Sequence, residues 1–179
     1  MNQDLSTEPT SGRPASGAAV PSISLSRDIP APAGRIFSVL TRSAAHPDVD
    51  GSGMLRNPVE QVVISKVGDV FALNMYNDEM GDYVMENRVV EFEPERRIVW
   101  EPVMRSIDKA EFQSSVGDPA HHQWGWELEP LDADRTRVTE FFDCSRSPDW
   151  LQQAVKGGEL WRTEIEASLA NLERLVAGS

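Results

Sequence analysis

At 179 residues, 40% of them hydrophobic and with five tryptophans and six phenylalanines, the chain has the size and apolar content of one folded domain, which argues against wholesale disorder. A formal net charge of −12 without any run of lysine or arginine argues against nucleic acid or an anionic membrane surface as a partner. The single cysteine, Cys144, excludes an internal disulfide and a cysteine-built zinc site, and no stretch reaches the roughly 18 apolar residues of a spanning helix.

Residues 1–19 are rich in Ser, Thr, Pro, Gly and Ala and carry no basic start followed by an apolar run, so they read as a flexible tail rather than a secretory signal. Residues 20–179 form the expected single domain. Lone-cysteine usage and the missing signal predict a cytoplasmic protein without membrane insertion.

The domain opens with a strand over 21–29, where Ile23, Leu25 and Ile29 alternate with polar residues. The run IPAPAG ends it and offers Pro32 as the first residue of a short helix to Thr41. Residues 44–48 add one more turn before the loop DGSG at 50–53. Period-two patterning then takes over. Strands are expected at 59–64 and 71–76, with a turn at 66–69 between them. A long strand follows, in which the apolar parity set by Tyr83, Met85 and Val89 flips at Val90, predicting a bulge. A turn at 94–97 leads to a short strand, Ile98 to Trp100. Residues 102–120 are weakly patterned and read as a loop. Two strong strands, 122–129 and 135–144, close the sheet through an acidic turn at 131–134. The final element is helical, with Ser147 as N-cap, Pro148 and Asp149 in the first turn, and a break at Gly157-Gly158. Beyond the glycines, Leu160, Trp161, Ile165, Ser168, Leu169, Leu172 and Val176 make an apolar stripe, with Arg162, Glu164 and Glu166 opposite.

This order predicts an α+β domain: a curved antiparallel sheet of about six or seven strands wrapped around a long C-terminal helix, with two short helices after the first strand. One helix leaves space where the sheet bends away, and that space is the expected ligand cavity. IPAPAGRIFSVLT, VVEFEPERRIVW and WGWELEPLDADRTRVTEFFD, in this order and together with HPDVDGSG, resemble the START-like, helix-grip (SRPBCC) superfamily, and most closely its bacterial polyketide cyclase/dehydratase-like proteins. The resemblance spans about residues 23–176. It implies a hydrophobic-ligand pocket and no single activity, because the scaffold hosts binders, enzymes and chaperone cofactors.

No nucleophile elbow, phosphate loop, dinucleotide fingerprint or zinc-protease motif is present. The residues expected to act are those whose parity points them inward. Tyr83 could present its hydroxyl to a ligand carbonyl, His122 shares parity with Trp124 and Trp126, and Glu140 shares it with Val138 and Phe142. Each has a structural reading as well: a core tyrosine, a solvated loop histidine, a carboxylate in a salt bridge to Arg88 or Arg137. Trp100, Trp124, Trp126, Met85, Phe142, Trp161 and Ile165 are expected to line the ligand. His46 and His121 read as loop histidines, and Asp48, Asp50 and Ser52 as rim residues. No metal and no cofactor is expected. The partner is a small hydrophobic molecule of lipid or aromatic polyketide type, bound by a monomer or homodimer. If the protein is an enzyme, cyclisation or dehydration is the natural class; the alternatives are a non-catalytic carrier and an interaction module like the Hsp90 activators.

Overall fold

The computed structural model describes residues 22–177, so the predicted tail over 1–19 lies outside the described residues. Seven strands form one antiparallel sheet: β1 (Ile23–Ile29), β2 (Leu55–Pro58), β3 (Val70–Asn77), β4 (Gly81–Glu93), β5 (Arg97–Ile107), β6 (Gln123–Asp132) and β7 (Arg135–Asp143). Their order across the sheet is β1-β7-β6-β5-β4-β3-β2, so the first two strands occupy opposite edges. The chain crosses between those edges through α1 (Ala33–Leu40), a 3-10 turn at Ser43–Ala45, and α2 (His46–Val49). After β7 come α3 (Asp149–Ala154), a 3-10 turn at Lys156–Trp161, and α4 (Arg162–Ala177). This is the α+β helix-grip arrangement expected from the element order. Among the described residues no helix is long and apolar enough to cross a membrane.

Alternation builds the sheet and periodicity builds the lid. Val138, Phe142, Trp126 and Leu128 point to the concave side and are almost fully buried, as are Ile165, Leu169, Leu172 and Val176 on α4. Burial of this kind contributes roughly 1.5–3 kcal/mol per large apolar side chain. The helix lies over β1 and β7 and against α1 and α2. Asn171 pins the end of α2 to it, donating to the Val49 and Asp50 carbonyls at 3.2 and 3.1 Å. Gly157 and Gly158, at φ +62° and +99°, make the break between α3 and α4 that the glycine pair predicted.

The expected bulge is present: Val89 faces Trp100 and Glu91 faces Val99, leaving Val90 as the extra residue on β4. Other expectations need correction. The strand placed at 59–64 is instead β2, four residues earlier. Residues 60–64 pair with the chain after α1, where Ser43 Oγ accepts the Val62 N–H at 2.8 Å and Ile64 N–H donates to the Thr41 carbonyl, while the Val59 N–H still donates to the Ala72 carbonyl of β3. That attachment leaves Val63 exposed. The segment 102–107, read as loop, continues β5. Here β5 pairs only with β4, its β6 partnership covering Arg97–Trp100, so Pro102 sits at a free edge that needs no amide donor. Pro32 and Pro148, rather than Ser147, occupy the N-cap positions of α1 and α3. Leu160, assigned to the buried stripe, is exposed because it precedes α4 in the 3-10 turn.

Gly51 governs how the α2–β2 loop seats on α4. A Cβ at this position would lie 2.1 Å from the Glu164 carbonyl oxygen, a backbone atom that cannot rotate away. Gly51→Ala should therefore cost about 2–3 kcal/mol in urea denaturation. An unchanged midpoint would mean that the loop does not dock as described.

Candidate functional site

Because α4 covers the β1–β7 side of the concave face, the β3–β6 side stays open beneath it, and a cavity of about 450 Å³ fills the gap. Residues of six strands, β2 to β7, form its floor, among them Leu73, Met85, Met104 and Trp126. Trp161, Glu164, Ile165 and Ser168 form its helical side. His46 and Asp50 close the end beneath α2, while Phe112 and the 60% exposed Trp150 stand at the mouth.

The inward parities hold the predicted residues together. Tyr83, Met85, Trp100, His122, Trp124, Trp126, Glu140, Trp161 and Ile165 all lie on the cavity wall. Phase alone does this for the strand residues. Phe142, expected beside them, is the correction: its ring lies behind the wall, 4.8 Å from the Trp124 ring and 6.2 Å from that of Trp161, and is 2% exposed. It buttresses two lining tryptophans because β7 passes beneath the end of α4. His121 is exposed in the left-handed region at φ +54°.

Dryness sets the electrostatics. Glu140 is 7% exposed, and burial raises its pKa well above the carboxylate range; the nearby Asp50 charge adds to this and the Ser168 hydroxyl opposes it. Neither Arg88 nor Arg137 pairs with it, since Arg137 binds Asp28 at 2.9 Å on the exposed surface. Burial likewise raises Tyr83, whose hydroxyl meets the Asn77 side chain and lies 3.9 Å from Met54 Sδ. It lowers His122 to about 4, against a weak opposing pull from Glu101. It lowers His46 too, and there a hydrogen bond between Nε2 and the Leu40 carbonyl at 2.8 Å works the other way. All four shifts favour the uncharged form.

Four wall residues keep a buried polar atom without a partner: His122 Nδ1, Glu140 Oε2, Trp161 Nε1 and Glu164 Oε2. Such atoms are rare in folded proteins and call for an explanation. Among the wall residues that reading from sequence missed are His46, Asn87 and Glu164. His46, taken for a loop histidine, is buried between Phe71 and Trp100, with ring centroids 5.0 and 5.5 Å away, and no sequence pattern marks it. Asn87 shares the inward parity of Met85, a signal that was available. Glu164 was placed on the polar face of α4, yet it lies three residues after Trp161 and four before Ser168, the spacing that shares a face.

Known proteins bear out the resemblance. The chain belongs to the Activator of Hsp90 ATPase homolog 1-like protein family, whose model matches residues 30–176, within the START-like superfamily. Uncharacterized protein Rv0088 of Mycobacterium tuberculosis is 29% identical over 121 residues, covering 68% of this chain, which spans 46% of that relative's length. Protein NE0264 of Nitrosomonas europaea has a similar structure, with TM-score 0.64 and 15% identity over 87% of this chain and 94% of its own. DynU16, from the dynemicin biosynthetic locus, matches at TM-score 0.52 and 16% identity, over 84% of this chain and 46% of its own.

The pKa shifts give a pH signature. His122 titrates lower in the folded than in the unfolded state, so the fold binds fewer protons and loses stability as pH falls from 6.5 towards 4. His122→Gln should remove about 2–3 kcal/mol of that loss, read as the difference between wild-type and variant denaturation free energies across the range. Glu140 acts oppositely, costing stability as pH rises above the carboxylate range, so Glu140→Gln should gain stability at neutral pH. Wild-type and variant curves that run parallel would show that neither group is held uncharged.

Proposed function

We propose that this family member binds a small, largely apolar molecule carrying a few hydrogen-bonding groups in the cavity between sheet and α4. The observation that supports this most directly is the pairing of an aromatic, apolar wall with four unpartnered polar atoms set into it. Apolar area supplies affinity, and a few fixed polar groups supply orientation. A cavity of about 450 Å³ falls within the ordinary range for small-molecule sites. The family's description suggests a chaperone cofactor instead, but a module that works through its surface has no need of a cavity with polar groups in its wall.

A catalytic version of this reading uses the same wall. Tyr83 and a protonated Glu140 would donate hydrogen bonds to a ligand carbonyl, and neutral His122 would accept a proton, as cyclisation or dehydration requires. The biosynthetic locus of DynU16 makes an aromatic polyketide one reasonable substrate class to try. Tyr83→Phe, His122→Gln and Glu140→Gln separate enzyme from carrier: an enzyme loses turnover while binding persists.

Freshly purified protein, analysed by native mass spectrometry and then by denaturing extraction, should release a retained apolar molecule or take up an added one. Met85→Trp, which fills the floor, should weaken uptake by about tenfold or more while the fold persists by circular dichroism. A protein that takes up nothing, or a filled variant that binds equally well, would sink the cavity reading.

A further inference from the structure

We infer that the cavity takes an apolar organic cation, a protonated amine whose ammonium lies between Glu140 and Glu164 and beside Trp126. The inference rests on the cavity reading above and adds the ligand's charge.

It begins with an imbalance in the wall. Asp50, Asp118, Glu140 and Glu164 all line the cavity, and among the described residues no lysine or arginine does. An anionic amphiphile would meet carboxyl groups and no compensating cation, an arrangement that costs binding in a dry site. Two of the acids also have an oxygen with no donor, Glu140 Oε2 and Glu164 Oε2, and Glu140 is 93% buried by its 7% exposure. Carboxylate oxygens need donors, and an ammonium brings three.

Ser168 links the two groups. Glu164 and Ser168 lie one turn apart on the same face of α4, and the Ser168 hydroxyl reaches the Glu140 carboxyl. Gly51 holds that hydroxyl in place, its N–H donating to Ser168 Oγ at 3.0 Å. Asp50 adds negative field but spends its oxygens on Ser52 and the Leu55 N–H. Trp126 stands directly opposite Glu140 in the β6–β7 register, which sets their Cβ atoms about 5 Å apart on one face. An ammonium on Glu140 would therefore lie beside an indole, the ring that attracts cations best. Among the described residues no three acidic, histidine or cysteine side chains lie close enough to hold a metal ion. An opposite charge close by would also restore Glu140 to its charged form, offsetting the effect of burial.

Three probes with one tail decide the matter at neutral pH by calorimetry: decylamine, decanol and decanoate, each below its micellar concentration. The amine should bind about tenfold tighter than the alcohol, and decanoate more weakly than either. Glu140→Gln should bring the amine down to about the affinity of the alcohol, leave the alcohol within about twofold, and keep the wild-type circular dichroism spectrum. Glu164→Gln should act in the same direction, which guards against a folding defect in one variant. If the alcohol binds and the amine gains nothing over it, or if decanoate binds tightest, the ammonium site is wrong while the cavity stands. If none of the three binds, the cavity reading fails and takes the ammonium site with it.

Discussion

One helix cannot cover seven strands. At nearly 5 Å per strand the sheet is about 30 Å across, whereas a helix with its side chains is about 10–12 Å wide. Placed on β1 and β7, α4 buries Ile165, Leu169 and Leu172 and leaves the concave face of β3–β6 to shorter elements, with α1 approaching β6 and the 3-10 turns approaching β3 and β5. The bulge at Val90 and the second irregularity between Val84 and Met85 curl that part of the sheet towards the helix without closing on it. The cavity is what the mismatch leaves. It requires no special residue; it requires only that side chains on the open part be apolar enough to sit in a dry space.

Dryness then imposes its own chemistry. The chain is strongly acidic, yet its charge is carried largely at the surface, in exposed pairs such as Arg27 with Glu173 and Arg162 with Glu159. Pairs of that kind contribute little to stability. Four titratable groups on the cavity wall behave otherwise, because removing water penalises charge whatever its sign. Raised Glu140 and Tyr83 and lowered His46 and His122 share that one cause. A carboxyl held uncharged at the base of an apolar space destabilises the protein at neutral pH, and sites that bind or react are where such costs are usually found.

The wall is also well supported. Phe142 stiffens Trp124 and Trp161 from behind, Phe71 packs edge-on against Trp100, and the Leu40 carbonyl at the end of α1 fixes the His46 ring. Three elements distant in sequence, α1, β7 and α4, thus meet around one volume. The mouth is built differently, from the 3-10 turn at Ala110–Ser115 and from α3, where Trp150 remains exposed. Rigid walls with a lighter rim suit a site that must admit a molecule and then surround it.

The sequence by itself determined the strand phases, the bulge, the helix break and the stripe on α4, since each follows from side-chain spacing along one element. Those phases sufficed to bring Tyr83, His122, Trp126 and Glu140 to a common wall, because parity transfers directly from sequence to face. Where two elements compete for one segment, local pattern misled. Residues 59–64 have strand character but attach largely to the chain after α1, and residues 102–107 look like loop yet extend β5, where Pro102 pairs with Asn87 of β4 and not with β6. Only the tertiary structure decided that Phe142 stands behind the wall and that His46 is buried in it. Depth from the surface depends on which elements meet, and a period of two or of 3.6 records direction without depth.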